Sequence, residues 1–325
     1  MGDMHAIRVG STGGPEVLEW TSAGTPSPGP DEVLVRVETA GVNFIDVYHR
    51  TGLYPVGLPF TPGVEGAGVV EAAGSDVSTV RVGDRVAWAG PIGSYAEYAK
   101  LAADRCVVVP DSVELDVAAA VMLQGMTAHY LCHDTFPLAE GDRCLIHAGA
   151  GGVGHLLIQM AKMRGATVYT TVSSEAKAEI ARRSGADYVI NYLDTDFGDA
   201  IEELAGPKSL DVVYDGVGAD TLERGLELLR TRGMMVTYGN AGGRPPSVDP
   251  IRLMSLGSLF ITRPSLFDYV GSRDELEQRA SDLFRWIDAG ELKVHIGARF
   301  PLADATEAHR ALEGRRTVGK VVLDV

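Results

Sequence analysis

Gly149, Gly151 and Gly154 lie in the run Gly149-Ala150-Gly151-Gly152-Val153-Gly154, and GxGxxG spacing can lay backbone against a pyrophosphate. The first glycine is expected to permit the tight turn, and the second to let backbone approach the diphosphate. The third lets the following helix pack on a sheet. A helix starting there adds unpaired N–H groups and the positive end of its dipole. The run follows the strand-like Cys144-Leu145-Ile146-His147-Ala148 and opens a segment of helical period. That context favours dinucleotide binding over an ordinary glycine-rich turn, with Gly151 at the diphosphate.

The type of dinucleotide is read about twenty residues further on. NAD sites place an Asp or Glu at the end of the second strand to bond the ribose 2′-OH. Here that strand ends Thr170-Thr171-Val172-Ser173-Ser174. Hydroxyls and a cation accept a 2′-phosphate that a carboxylate would repel, so Ser173, Ser174 and Lys177 favour NADP(H) over NAD(H). Glu175 is expected in the first helical turn, pointing away. Lys177 read alone is also compatible with a solvated helix lysine. His129, Cys132 and His133 have i, i+3, i+4 spacing, but no fourth ligand accompanies them, and helix packing is the preferred reading over a metal site. His147 reads as a packed strand-end histidine.

These residues require a particular set of elements. From 143 to 262 strands are expected at Arg143–Ala148, Thr167–Val172, Tyr188–Ile190, Asp211–Tyr214, Met234–Tyr238 and Ser258–Thr262. Val153, Leu156, Leu157, Met160 and Ala161 form the stripe of a helix that packs one face on a sheet. Gly165 and Gly185 fall where helices should end, and Leu222, Leu226 and Leu229 predict another helix closed by Gly233. Alternating strands and helices make an α/β, doubly wound parallel sheet of Rossmann type, with ligand at the carboxyl ends of its strands. Before it, Val33, Val35 and Val37 alternate between turns such as Pro28-Gly29-Pro30-Asp31, which predicts a β-rich domain. After Leu266 come a helix near Asp274–Ile287 and a closing strand over Lys320–Leu323. The expected layout is therefore residues 1–124 as the first part of one domain, 125–265 as an inserted nucleotide-binding domain, and 266–325 as the second part.

Composition narrows the partners. Twenty-nine basic residues against 44 acidic give −15, which argues against nucleic acid or an anionic membrane. No apolar run reaches the length of a membrane span, and the first residues show no signal-peptide pattern. Three scattered cysteines without CxxC spacing suit a reducing cytoplasm.

Several motifs together resemble the medium-chain dehydrogenase/reductase superfamily, in its zinc-free quinone oxidoreductase (zeta-crystallin-like) branch. They include Gly13-Gly14-Pro15-Glu16-Val17-Leu18, Gly41-Val42-Asn43-Phe44-Ile45-Asp46, Arg50-Thr51-Gly52-Leu53-Tyr54-Pro55 and Gly63-Val64-Glu65-Gly66-Ala67-Gly68. Val189-Ile190-Asn191-Tyr192, Tyr238-Gly239-Asn240 and Thr262-Arg263-Pro264-Ser265-Leu266 extend the similarity nearly end to end. Zinc-dependent members carry Cys where this chain has Asn43 and His where it has Val64, so the residues exclude that metal chemistry.

The resemblance implies a GroES-like catalytic domain beside the Rossmann domain, with NADPH in a cleft between them. Phe44, Ile45 and Asp46 would lie near the nicotinamide, Tyr130, Gly152 and Val153 at the ribose and pyrophosphate, and Ser173, Lys177 and Tyr192 at the 2′-phosphate. Val217, Tyr238, Gly239, Asn240, Pro264, Ser265, Leu266 and Arg315 would close over the remainder. Asn43, Asp46, Tyr48, Tyr54 and Gln124 are the candidates for shaping or protonating the product. Tyr48 and Tyr54 are either hydrogen-bond donors to a developing oxyanion or an aromatic wall. Asn43 either orients substrate or caps a turn, and Asp46 suits a structural carboxylate better than a general acid. The implied activity is NADPH:quinone reduction without metal. Reduction of enones or enoyl thioesters is the alternative, and an NADPH- or RNA-binding protein the non-catalytic one. A homodimer paired through Ser258–Thr262 is also implied.

Overall fold

Strands β1 (Asp3–Val9), β2 (Leu18–Gly24) and β3 (Glu32–Val42) open the chain in this computed structural model, which describes residues 2–325. β3 organises its unit. Its Val33, Val35 and Val37 are buried with Val70, Val86 and Trp88, whereas its Ala40 and Val42 are buried with Ile7, Val321 and Leu323. The switch from odd to even positions coincides with a register shift between Val37 and Thr39 in its pairing with the neighbouring strand. One extra residue turns the following side chains to the opposite face, so a single strand serves two cores. Each buried valine contributes roughly 1.5–3 kcal/mol relative to exposure.

Helix α1 (Phe44–Thr51) follows β3 directly and stops at Gly52, whose φ of 80° is left-handed. Strands β4 (Glu65–Ala73), β5 (Arg85–Ala89), β6 (Tyr98–Ala102) and β7 (Val107–Val108) then complete the antiparallel part. β4 and β6 both pair with β3, β5 pairs with β4, and β7 with β5. Helix α2 (Leu115–Tyr130) carries the chain out of this unit, which ends at Met126 and resumes over Val270–Val325.

The second unit, Thr127–Tyr269, holds six parallel strands. They are β8 (Arg143–Ile146), β9 (Thr167–Val172), β10 (Tyr188–Asn191), β11 (Leu210–Asp215), β12 (Leu229–Thr237) and β13 (Phe260–Thr262). Their spatial order is β10-β9-β8-β11-β12-β13, the doubly wound arrangement. Between them run α3 (Gly152–Met163), α4 (Glu175–Arg183), α5 (Phe197–Ala205), α6 (Leu222–Leu228) and α7 (Pro250–Gly257), with α8 (Leu266–Tyr269) at the end. Gly165 and Gly185 follow α3 and α4 with φ of 79° and 100°. The leucine pattern is corrected at one place. Helix α6 ends at Leu228, Leu229 begins β12, and Gly233 lies inside that strand instead of closing the helix. Leu222, Leu226, Leu228 and Leu229 all enter one core, so apolar spacing runs on across the helix–strand junction.

The chain then returns to the first unit. Helix α9 (Arg273–Asp288) starts with a capping box in which Ser272 and Glu275 bond each other's backbone N–H. Strand β14 (Ile296–Pro301), helix α10 (Ala305–Glu313) and strand β15 (Lys320–Asp324) follow. β15 pairs with β3 on one side and β14 on the other, closing a seven-stranded sheet.

Candidate functional site

In the second unit the glycine run forms the turn between β8 and α3. Gly151 is the N-cap of α3, and the first i to i−4 bond is His155 N to Gly151 O at 3.1 Å. The N–H groups of Gly152, Val153 and Gly154 therefore form the open first turn, as phosphate binding requires. The glycine roles differ in one respect from the expectation. The left-handed residue of the turn is Ala148 (φ 55°), not Gly149. Gly149 is instead needed for close approach, because a Cβ there would lie 2.0 Å from Thr170 Oγ1 of β9. Gly154 has the packing role expected, since its Cβ would meet Ala148 O at 2.3 Å. His147 is buried, with Nδ1 2.9 Å from Thr171 Oγ1 and its ring edge-on to Phe197.

At the carboxyl end of β9, Ser174 caps α4 by accepting from Lys177 N, and Lys177 Nζ donates to Ser173 Oγ at 3.1 Å. Tyr192 joins them from the end of β10, its N–H bonded to Val172 O. Glu175 is exposed in the first turn and pairs with Arg182 at 2.5 Å, which holds its carboxyl below the usual range. Two hydroxyls and an ammonium group are thus assembled by local structure alone.

The loops after β11 and β12 are held backbone to backbone. A Cβ on Gly239 would lie 2.4 Å from Gly216 O, and Gly242 N donates to Val217 O at 2.8 Å. Buried Asp215 accepts from Val217 N, Gly218 N and Thr221 Oγ1, fixing the first loop. Arg263 Nη1 donates to Thr237 Oγ1 and Gly239 O, tying Pro264, Ser265 and Leu266 to the second loop that holds Tyr238 and Asn240. Tyr130 stacks on Tyr269 at 4.2 Å. His129 and His133 also stack, at 4.3 Å, with Cys132 Sγ 3.2 Å from His133 Nδ1.

The first unit contains a buried polar cluster that spacing alone does not reveal. Asn43 supplies the N-cap backbone of α1, but its side chain turns elsewhere. Asn43 Nδ2 donates to Glu65 Oε2 at 2.8 Å, and Asn43 Oδ1 accepts from Lys320 Nζ at 2.7 Å and Gln124 Nε2 at 3.0 Å. Lys320 also forms an ion pair with Glu65, both side chains fully buried. Glu65 Oε1 takes the N–H of Leu123 on α2. Gly41 is required here, because a Cβ would lie 2.2 Å from Glu65 Oε2. Burial pulls the Lys320 pKa down while Glu65 pushes it up. Gln124 Oε1 is left buried without a partner, an acceptor awaiting a donor.

Asp46 is also fully buried and does not face solvent. Its Oδ2 accepts from Asn43 N (2.9 Å) and Tyr95 Oη (3.3 Å), and its Oδ1 from Val64 N (3.2 Å). Burial raises its pKa to about 7 against these donors. Phe44, Tyr48 and Tyr54 form a chain of rings, 6.2 Å between the first pair and 5.2 Å, edge-on, between the second. Ile45 lies on α1 beside Phe44, and Arg315 stands exposed after α10 with φ 54°. Arg50, Glu65, Tyr95, Asp215, Arg263, His309 and Lys320 were not among the residues singled out by sequence reasoning. The motifs Arg50–Pro55 and Gly63-Val64-Glu65 and the Thr262–Leu266 segment contained the available signal.

These donors do not fit a catalytic zinc. Asn43 and Val64 supply neither thiolate nor imidazole, Glu65 already holds an ammonium group, and both Asp46 oxygens are taken by N–H and O–H donors.

The chain matches the family described as "Zinc-binding dehydrogenase" over residues 152–286 and "Alcohol dehydrogenase GroES-like domain" over 29–111. It is 46% identical over 319 residues to a quinone oxidoreductase of Pseudomonas aeruginosa, covering 98% of each chain. It is 43% identical over 329 residues to a 2-haloacrylate reductase of a Burkholderia species, again covering 98% of each. The crystal structure of Escherichia coli quinone oxidoreductase complexed with NADPH is similar with a TM-score of 0.95 and 39% identity, over 100% of both chains.

Proposed function

This chain belongs to the quinone oxidoreductase branch of the medium-chain dehydrogenase/reductase superfamily, and on that premise we propose that it is a zinc-independent NADPH:quinone oxidoreductase. The observation that carries the cofactor choice is the pairing of Lys177 with Ser173 at the end of β9, with no carboxylate in the strand-end position. Bound NADPH supplies the hydride. The chain's own residues anchor and orient. The open first turn of α3 takes the pyrophosphate, while Ser173, Ser174, Lys177 and Tyr192 hold the 2′-phosphate. Val217, Tyr238–Asn240 and Pro264–Leu266 are the contacts at the carboxyl end of the sheet, Tyr130 serves the ribose, and Arg315 is a further cofactor residue.

A quinone is already electrophilic and needs placement more than polarisation. Phe44, Ile45, Tyr48 and Tyr54 make the apolar wall against which a flat acceptor lies. Gln124 Oε1, lacking a partner, accepts from a ligand N–H or O–H. Asn43 and Asp46 spend their hydrogen bonds on the protein and act by holding that wall. The 2-haloacrylate reductase relative favours reduction of an activated carbon–carbon double bond as the second reading.

The test compares turnover of p-benzoquinone and of an enone with NADPH and with NADH. Faster quinone turnover with a clear NADPH preference is expected, and Lys177→Glu should raise the NADPH KM by roughly tenfold or more, the loss of a charge-assisted bond plus repulsion. Preference for the enone would sustain the second reading, and an unchanged NADPH KM would displace the phosphate site.

A homodimer through the edge strand β13 and a cytoplasmic location complete the reading. All three cysteines are free and buried, and no helix of the described residues is long and apolar enough to cross a membrane. A net charge of −15 disfavours RNA as a ligand.

A further inference from the structure

Helix α1 is fastened by a closed circuit of hydrogen bonds that begins and ends on the helix itself. Arg50 makes a two-pronged pair with Glu313 of α10, at 2.7 and 2.9 Å, and its Nε donates to Gly13 O. Arg50 Nη1 lies 3.1 Å from His309 Nδ1, His309 Nε2 lies 3.2 Å from Tyr95 Oη, and Tyr95 Oη lies 3.3 Å from Asp46 Oδ2. Arg50, His309, Tyr95 and Asp46 are all buried, whereas Glu313 keeps 32% of its side chain exposed.

A guanidinium group has donors only, so His309 Nδ1 must be the acceptor and its proton must sit on Nε2. Nε2–H then donates to Tyr95 Oη, and the tyrosine proton is directed at Asp46. The direction of every bond follows from Arg50. Asp46 is left accepting from Tyr95, Asn43 N and Val64 N, with no acceptor facing it for a proton of its own. Lys320 and Glu65 are the other charged groups bearing on it, the first favouring its charge and the second opposing it. Burial keeps His309 neutral, its pKa held down to about 3.

Asp46 and Arg50 are four residues apart and share one face of α1. Phe44 and Tyr48 share a face about 160° round the helix. We propose that Arg50, His309 and Tyr95 are positioning residues for quinone reduction, which act through Asp46 to hold the Phe44–Tyr48 face of α1 in register. This rests on the reading of that face as the acceptor wall. A proton on Asp46 meets three donors and no acceptor, so although it relieves the buried charge it displaces one of the three bonds and shifts the α1 face, and wall geometry is tied to the Asp46 charge. Asp46 titrates at about 7, and that places an acid limb on quinone use.

The test is steady-state kinetics with NADPH and p-benzoquinone across pH, beside NADPH binding by fluorescence and thermal melting. Tyr95→Phe should raise the quinone KM roughly tenfold near neutral pH while NADPH Kd stays within about twofold. Its acid limb should move to higher pH, because Asp46 loses a donor that favours its charge. Asp46→Asn should remove the limb. Arg50→Gln, able to accept as well as donate, should shift the limb as Tyr95→Phe does, and Arg50→Lys, donor only, should leave it in place. Wild-type quinone KM and limb in Tyr95→Phe, or the same limb in Arg50→Lys and Arg50→Gln, would overturn the proposal. Should Tyr95→Phe not fold, the two Arg50 variants decide alone.

If the wild-type chain does not reduce the quinone, it is the earlier functional reading that fails. The circuit is then tested in the free protein by its melting. Asp46 has its folded pKa raised from 3.8 to about 7, so its contribution to stability grows as pH falls through 7 and levels off below 3.8. In Tyr95→Phe that gain should begin at higher pH, and an unshifted onset counts against the circuit.

Discussion

Lys320 carries its amine into a site with no exposed surface, where burial lowers its pKa, Glu65 opposes that, and Glu65 and Asn43 both accept from it. Such a pair adds little net stability, since desolvation offsets most of the attraction, but removing one partner strands the other. Lys320→Met should therefore cost about 3–5 kcal/mol by chemical denaturation. Lys320→Met with Glu65→Gln should recover much of that loss, because the glutamine still accepts from Leu123 N and leaves no buried charge. Equal destabilisation in the single and double variants would show that packing, not the unpaired carboxylate, sets the cost. The same logic explains Asn43. With both kinds of amide group committed to Glu65, Lys320 and Gln124, its side chain links β3, β4, α2 and β15.

At the scale of elements, the two turns proposed to hold the phosphates were legible in the sequence because their parts are local. Gly149–Gly154, Ser173, Ser174 and Lys177 belong to two successive strand–helix turns, and turn chemistry is written in neighbouring residues. The buried circuit and the cluster around Asn43 were not legible, because they join residues far apart in the chain. Arg50 meets His309 across 259 positions and Glu65 meets Lys320 across 255, separations on which periodicity is silent. The helix over Leu222–Leu229 was over-extended for a related reason, since buried leucines on both sides of a junction look like one stripe. Ala148 was overlooked because a left-handed alanine has no residue signature. Its methyl group is exposed and its φ is 55°, a conformation costing about 1–2 kcal/mol for an L residue. Ala148→Gly should relieve that strain, offset in part by a more flexible unfolded chain, for a net gain of about 0.5–1 kcal/mol. A higher melting temperature of the free protein is expected. A lower one would mean that the methyl group packs against the turn usefully.

At the scale of the whole molecule, the six-stranded sheet has two edges, and they are protected differently. At one edge β10 carries Tyr188, which stacks on Tyr169 of β9 at 4.7 Å. At the other edge β13 offers Phe260, 55% exposed, and α7, which precedes it in the chain, exposes Ile251 and Met254. An edge strand with apolar side chains and free backbone groups is a template for another strand, and soluble proteins usually blunt such edges with charge or cover them. None of the three residues of β13 is charged. A second copy meeting it about a two-fold axis satisfies both sets of backbone groups with one self-complementary surface. Phe260→Lys places a buried charge opposite its symmetry mate and should convert a dimer into a monomer in sedimentation at micromolar concentration. Because NADPH binding is assigned to residues at the carboxyl ends of the strands and not to this edge, the monomer should keep its NADPH affinity. A wild-type chain that sediments only as a monomer, or a Phe260→Lys variant that remains dimeric, would exclude β13 as the interface and require another cover for that apolar edge.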